Sequence, residues 1–371
     1  MGKAFGIINF GGNHVHVKGL QDHRPLGAFS FLGRYRAIDF PISNLSNSGI
    51  DQIQVYVRRQ PRSLVEHIGT GRHYNINSKR GKLYKMFADN SVGDDIYNND
   101  ISSFAKNIDC IKSMHEPYVV IVPSYMIFVQ DFKLLLKKHI ESGADITTLY
   151  HEVDNADTAY PNCFTLDINR QNGVLGIEPN HGNEARKNIF MDTYIMKKEL
   201  FLELIEKAQA YSSLYTLIDI VNEECKDLDI RGISHKGYFA TITDFKSYFD
   251  ANISLIDFDN AESLFDPSWP IYTKTNDSCP TQYFASANVS DSVISNGCLI
   301  EGNIHHSVIG RGCVIEKGAV IENSVILPGA VISEDAHIVN QVVDKKAKIL
   351  HKKEIIADID NPGYIKRGDV L

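Results

Sequence analysis

The sequence predicts an α/β domain built on a mainly parallel, mixed sheet, followed by a C-terminal left-handed parallel β-helix. Three observations carry this. From residue 4 to about 256 short apolar runs alternate with helical patterns; residues 266–280 hold Pro267, Pro270 and Pro280 in an extended stretch; and from about 284 onward apolar residues return every six positions. Strands that read as continuous apolar runs, separated by helices, are covered on both faces, as strands of parallel sheets are.

The first run, FGIINF at 5–10, is a buried strand that feeds Gly11-Gly12, where a backbone without Cβ atoms can approach a phosphate closely. The residues that follow are Asn13, His14, Val15, His16 and Val17, so Lys18 is the only local cation. A triphosphate needs more positive charge than that. A helix around 42–48, the strand IQVYV at 53–57 and a helix near 64–68 come next. YVVIVPS at 118–124 is another buried strand, followed by a helix at 132–141, strands at 146–153, 163–168, 174–178 and 188–196, and an amphipathic helix over 200–210. Ligands of such sheets sit at the carboxyl ends of the strands. Gly11-Gly12 and Pro123-Ser124 both follow apolar strands, so both should line one crevice.

The α/β domain is expected over 1–256, a connector over 257–283 and the coil over 284–371. In the coil Val308, Val314, Val320, Ile326, Ile332 and Ile338 recur at a spacing of six, and Ile309, Ile315, Ile321 and Leu327 repeat that spacing one residue later. Neither period 2 nor period 3.6 yields such a series. With small residues at Gly312, Gly318 and Gly329, it is the signature of a triangular coil in which each hexad forms one face. Its flat faces and open ends should pack against another domain or subunit.

Composition excludes several classes. A net charge of −8 argues against a nucleic-acid-binding surface. No apolar run approaches the roughly 20 residues of a membrane span, and the N-terminus runs straight into a strand without a signal-peptide layout, so a cytoplasmic chain is expected. The six cysteines, Cys110, Cys163, Cys225, Cys279, Cys298 and Cys313, contain no CxxC pair, which disfavours zinc or a disulfide framework. His14 and His16 read as solvated loop histidines rather than a metal site, His305 and His306 as a corner of the coil, and Asp94, Asp95 and Asp219 as surface carboxylates.

GRYRAIDFPISNLSNSGI at 33–50, SWPIYT at 268–273 and the terminal hexapeptide coil together resemble the ADP-glucose pyrophosphorylase (glucose-1-phosphate adenylyltransferase) family, over nearly the whole chain. The resemblance implies a Rossmann-like (GT-A-like) nucleotidyltransferase domain that joins glucose 1-phosphate to the α-phosphate of ATP with Mg²⁺, and a coil that supports a tetramer. The family's loop, GGxGxRL followed by Lys-Pro, corresponds here to GGNHVHVKGL. His16 or Val17 then stands at the arginine position, and the Lys-Pro pair becomes Arg24-Pro25 or is lost, depending on where the gap is placed. The family's metal-binding aspartate falls at Ser124 and its second metal carboxylate at Thr241, with Asp244 three residues on and aimed elsewhere. Its sugar-phosphate lysine falls at Glu178, which repels a phosphate.

One lost transition-state contact costs about 2.7–4 kcal/mol, so losses at four positions predict negligible activity. On this reading the chain has no catalytic residues, holds no metal and binds no cofactor of its own, Mg²⁺ being in the partner. Gly11, Gly12 and Asn13 are a remnant of the nucleotide loop. The pattern resembles the family's D-type regulatory subunits, which implies a catalytic GlgC-type glucose-1-phosphate adenylyltransferase partner in a heterotetramer, with no nucleic acid and no membrane. The basic positions Arg34, Arg36, Arg58, Arg59, Arg62, His67 and Arg72 are candidates for a phosphate or sugar-phosphate effector, since Arg forks suit phosphate, or for a subunit contact. Two alternatives stand beside this: an active sugar-phosphate nucleotidyltransferase with unconventional residues, and a stand-alone sugar-phosphate sensor.

Overall fold

The computed structural model describes residues 3–77, 79–87 and 97–371. Asp94 and Asp95 lie outside the described residues. The α/β domain runs β1 (Ala4–Asn9), β2 (Ser30–Phe31), β3 (Tyr35–Arg36), α1 (Asp39–Asn47), β4 (Gln52–Val57), α2 (Arg62–Ile68) and β5 (Lys82–Phe87). It continues through α3 (Asp100–Lys106), α4 (Ile108–Lys112), β6 (Tyr118–Pro123), β7 (Met126–Phe128), α5 (Phe132–Ser142), β8 (Ile146–Val153), β9 (Phe164–Ile168), β10 (Val174–Pro179) and β11 (Lys187–Lys197). The last elements are α6 (Lys198–Tyr211), α7 (Leu217–Glu223), β12 (Ile230–Ser234), β13 (Phe239–Thr241), α8 (Phe245–Ile253) and α9 (Phe258–Leu264).

The main sheet has the order β10-β9-β11-β6-β1-β4-β5, with β8 paired to β11 and β12. β1 is parallel to β4 and β6, whereas β11 runs antiparallel to β6, β8 and β9, so the sheet is mixed. Successive side chains on a strand point to opposite faces. Ile8 accordingly joins the core under α1, α2, α5 and α8, while Phe5 and Ile7 join the core under α3, α4, α6 and α7. Local chemistry fixes the helix ends: Asp131 accepts from Leu134 N at 3.0 Å to start α5, and Gly143, at φ 69°, ends it. Asp219 and Thr216 form a capping box at α7, and Asp244 does the same with Ser247 at α8. Both acids are thereby occupied structurally.

The connector expected over 257–283 is shorter in the structure, because α9 occupies its start and Gln282 and Tyr283 already pair with Leu299 and Ile300; past residues 265–281, which lack helix and strand, three five-stranded parallel sheets wind into the left-handed β-helix. The constant spacing of six is not the whole pattern. Ile294 pairs with Ile309, and Ile309 with Ile326, so successive turns advance 15 and then 17 residues rather than three full hexads. The inward series is therefore Ile309, Ile315, Ile321, Ile326, Ile332 and Ile338, passing from one apparent repeat to the other between Ile321 and Ile326. One tight corner per turn, where His306, Asn323 and Asn340 adopt φ 47°, 42° and 54°, saves a residue and gives the 17-residue turn, and the 15-residue turn is shortened further at the corner between Ile300 and Asn303. Serine hydroxyls bond across that corner: Ser307 N donates to Ser292 Oγ at 3.1 Å and Ser324 N to Ser307 Oγ at 3.0 Å.

One coil face is buried on both sides. Val308, Val325, Leu327 and Val342 point out of the coil into the same core as Phe29 and Tyr248 of the α/β domain. The β2–β3 hairpin tip meets this seam at Gly33, φ 66°, where a Cβ would strike the Ser295 hydroxyl and the Ile309 carbonyl. Among the described residues no helix is long and apolar enough to cross a membrane.

Candidate functional site

β1 and β6 are parallel neighbours in the register Asn9↔Pro123, and Ser124 N donates to Asn9 O at 2.8 Å. This pairing brings Gly11 and Ser124 to one cavity of about 520 Å³ at the carboxyl ends of the strands, as the sequence implies. Asn13, His16, Arg24, Arg58 and Arg59 line it too. The cations in this crevice therefore come from the segment before β2 and from the end of β4, not from the glycine loop.

The loop is closed by its own packing. Val15 N donates to Gly12 O at 3.1 Å, His16 N donates to Thr243 O at 3.0 Å, and Val15 and Val17 are buried. His14 is not solvated, contrary to the expectation: its ring packs edge-on against Phe164 at 5.0 Å and Tyr125 at 6.3 Å, and burial lowers its pKa to about 4. The physical reason is the turn from Gly12 to Val15, closed by the Val15 N to Gly12 O bond, which breaks strand alternation and aims His14 at Phe164 and Tyr125. His16 stays exposed.

Ser124 is 4% exposed at the crevice floor, while Thr241 is buried on β13 opposite Met126, with Ile242 N donating to Tyr125 O at 2.9 Å. Glu178 is exposed on the edge strand β10.

The basic cluster divides into four places. Arg58 lies over the Phe10 ring at 5.9 Å beside the exposed Arg59 in the crevice. Arg36 and His67 surround the buried Asp39, with Arg36 N donating to Oδ2 at 2.8 Å and His67 Nε2 and Tyr74 OH each 2.6 Å from Oδ1. Arg62 bonds Glu66 at 2.8 Å on the surface of α2, and Arg72 is exposed beyond it. Arg34, exposed at the hairpin tip, shares a groove of about 530 Å³ with Arg311 of the coil.

Two features escaped the sequence reading. Arg24 crosses the seam to the coil, where its Nη2 meets the carboxylate of Asp344; both are almost fully buried, and Tyr364 OH donates to the same carboxylate at 2.8 Å. Arg24 Nη1 is buried with no partner among the described residues. Beside it Lys345 is pushed down to about 7 by burial, and by Arg36 and Arg24. The signal in the sequence was a lone acid, Asp344, at a coil position otherwise filled by apolar or small residues.

The second feature lies under the crevice. Asp100 accepts from Asn9 Nδ2 at 3.1 Å and Ile101 N at 2.8 Å, and Asp192 from Tyr125 OH at 3.2 Å. Burial, then repulsion from Asp100, raises Asp192 to about 7. Asp192 sits at φ 44° where the register of β11 shifts between Phe190 and Tyr194. An acid interrupting the apolar run NIFMDTYIM was its signal.

Comparison with known proteins agrees with this architecture. The nucleotidyl transferase family model matches residues 5–256, and the GlmU-like C-terminal hexapeptide model matches residues 280–362. The chain is 30% identical over 320 residues to the glycogen biosynthesis protein GlgD of Geobacillus stearothermophilus, covering 86% of this chain and 83% of the relative. It is 27% identical over 366 residues to GlgD of Bacillus subtilis, covering 99% and 96%. The glucose-1-phosphate adenylyltransferase of Geobacillus stearothermophilus is 30% identical over 327 residues, covering 86% and 83%. With a matching domain order and relatives of both kinds along most of its length, the chain belongs to the ADP-glucose pyrophosphorylase (glucose-1-phosphate adenylyltransferase) family of nucleotidyl transferases, on its GlgD side.

Proposed function

We propose that this chain is a non-catalytic regulatory subunit of glucose-1-phosphate adenylyltransferase in glycogen biosynthesis, acting on a catalytic GlgC-type partner within a hetero-oligomer. The donor set of the crevice carries the reading. Adenylyl transfer is an in-line displacement accelerated by positioning and charge, and Mg²⁺ in such sites is held by carboxylates. Ser124 and Thr241 offer hydroxyls where the family's carboxylates stand, and Asp192 is 6% exposed, bonded to the Tyr125 hydroxyl under the floor. These residues do not fit the metal, so no step through it is assigned to this chain; the partner holds it.

The coil supports association. Its first turns expose Tyr283, Phe284 and Leu299 beside free strand edges, and between residues 276 and 303 they carry Asp277, Asp291 and Glu301 without a lysine or arginine. An apolar, edge-bearing coil end favours burial against another subunit. The seam supports regulation. Arg24, Arg36 and Lys345 gather there with one guanidinium nitrogen of Arg24 unmatched, which favours a phosphate or sugar-phosphate effector bridging the α/β domain and the coil. Such an effector shifts the partner's affinity only as far as it distinguishes two arrangements, and the coupling is reciprocal.

The test is an assay of the purified chain with ATP, Mg²⁺ and glucose 1-phosphate, alone and co-expressed with a catalytic homologue. Turnover alone is expected at least about 10⁴-fold below that of the homologue, because each of two lost transition-state contacts is worth about 10²–10³. Co-purification with altered kinetics of the homologue is expected. Robust turnover by the chain alone would establish an active enzyme instead, and failure to co-purify would favour a stand-alone sensor.

A further inference from the structure

β12 is parallel to β8 in the register Ser234↔Tyr150, so His235, the first residue past β12, stands beside His151, which is still within β8 and paired with Ile189 of β11. His235 N donates to Tyr150 O at 2.7 Å, which anchors the pair. His235 Nε2 lies 3.0 Å from Val129 O, a group that only accepts, so Nε2 carries the proton and Nδ1 presents a lone pair. The Nδ1 of His151 stands 3.1 Å from that lone pair. Phe128, 5.6 Å from His235, and Phe239, 5.0 Å from His151, wall the rings, while His151 remains partly open to solvent.

We propose that the facing Nδ1 atoms of His151 and His235 form a two-imidazole site for a borderline divalent transition metal of the Zn²⁺ class. Zinc–imidazole bonds of about 2.0–2.1 Å place two ligand nitrogens roughly 2.9–3.4 Å apart between square and tetrahedral angles, and the observed separation falls inside that interval. Metal-bound imidazoles typically donate their other N–H to a carbonyl or carboxylate, as His235 does to Val129. On binding, the metal takes the place of the proton shared between the two Nδ1 atoms, and that proton moves to Nε2 of His151. Neutral imidazole is the form that ligates the metal, through the free Nδ1 lone pair. Among the described residues no group of three His, Cys, Asp or Glu side chains is placed to hold a metal, so water on the open side of His151 completes the coordination. Glu152 and Lys236, 3.7 Å apart, flank that opening with opposite charges. The ion would clip β8 to the segment leading into β13.

The experiment is a Zn²⁺ titration of the untagged, EDTA-stripped full chain against a chromophoric chelator near neutral pH. One ion per chain at micromolar affinity is expected, weakened at least about 10-fold by His151→Gln and by His235→Gln. The double variant His305→Gln, His306→Gln, which removes the exposed histidine pair of the coil, should leave it unchanged. Absence of stoichiometric binding to the wild type, survival of binding in both single variants, or its loss in the coil variant each overturns the proposal. Where a single variant does not fold, histidine ¹⁵N spectra of the wild type decide: both Nδ1 resonances must shift together on adding Zn²⁺ while His235 Nε2 stays protonated, and an unshifted pair overturns the site.

Discussion

Asp192→Asn is expected to stabilise the chain, by about 4 kcal/mol at about pH 8 and by about 2 kcal/mol at about pH 5, which is the linkage cost of one carboxyl held near 7 in the fold and near 3.8 when unfolded. The sign follows from proton counts. Between those two values the folded chain binds more protons than the unfolded one, so stability is fully present below the unfolded pKa and is lost as pH rises through the folded one. Asparagine keeps the shape, tolerates φ 44°, and can still accept from the Tyr125 hydroxyl. It also relieves Asp100, whose own pKa is raised first by burial. Thermal melts of both proteins across this pH range check it. A variant whose advantage does not grow with pH would show that Asp192 is ionised and compensated in the fold.

Asp344→Ala should cost about 3–5 kcal/mol, because it strands the buried Arg24 guanidinium and removes the acceptor of the Tyr364 hydroxyl. The double variant Arg24→Met, Asp344→Leu should recover most of that loss, since an apolar pair of similar volume has no charge to desolvate. Melting temperatures of the two variants measure the difference, and equal destabilisation would mean that the pair contributes packing rather than charge. Because Arg24 also lines the crevice, the same variants report whether the coil and the crevice are mechanically joined. An altered response of the proposed catalytic partner in the double variant, at unchanged stability, is the outcome that a joined seam requires.

Much of the scaffold was legible in the chain. Strands predicted at 146–153 and 188–196 fold as Ile146–Val153 and Lys187–Lys197, because a strand buried on both faces is apolar along most of its length, and the one predicted at 174–178 folds as the edge strand Val174–Pro179, buried only at Val174 and Ile177. Shorter elements were missed. The β2–β3 hairpin is two residues a side and acquires its meaning only against the coil, and α8 is marked by a capping box rather than by a strong periodic face. The hexapeptide series was read, but its slip between Ile321 and Ile326 was not, since a corner one residue shorter leaves the next apolar residue within the same apparent repeat.

The candidate site was legible in its losses more than in its gains. The resemblance to the family is what sets an expected carboxylate at Ser124, whereas nothing near residue 24 announces a partner 320 residues away. The basic residues looked like one cluster in the sequence and are four separate sets in space, because Asp39 claims His67, the Ser63 carbonyl claims the Arg36 guanidinium and Glu66 claims Arg62.

The sequence by itself determined the layered sheet and the coil, which depend on residue type and local period, and its resemblance to known members supplied the family and the carboxylates expected at Ser124 and Thr241. Only the tertiary structure decided which charges meet. Arg24 with Asp344, Asp192 near Asp100, and His151 with His235 are pairings across distant segments, and electrostatic energy depends on separation and burial, neither of which a linear order of residues contains.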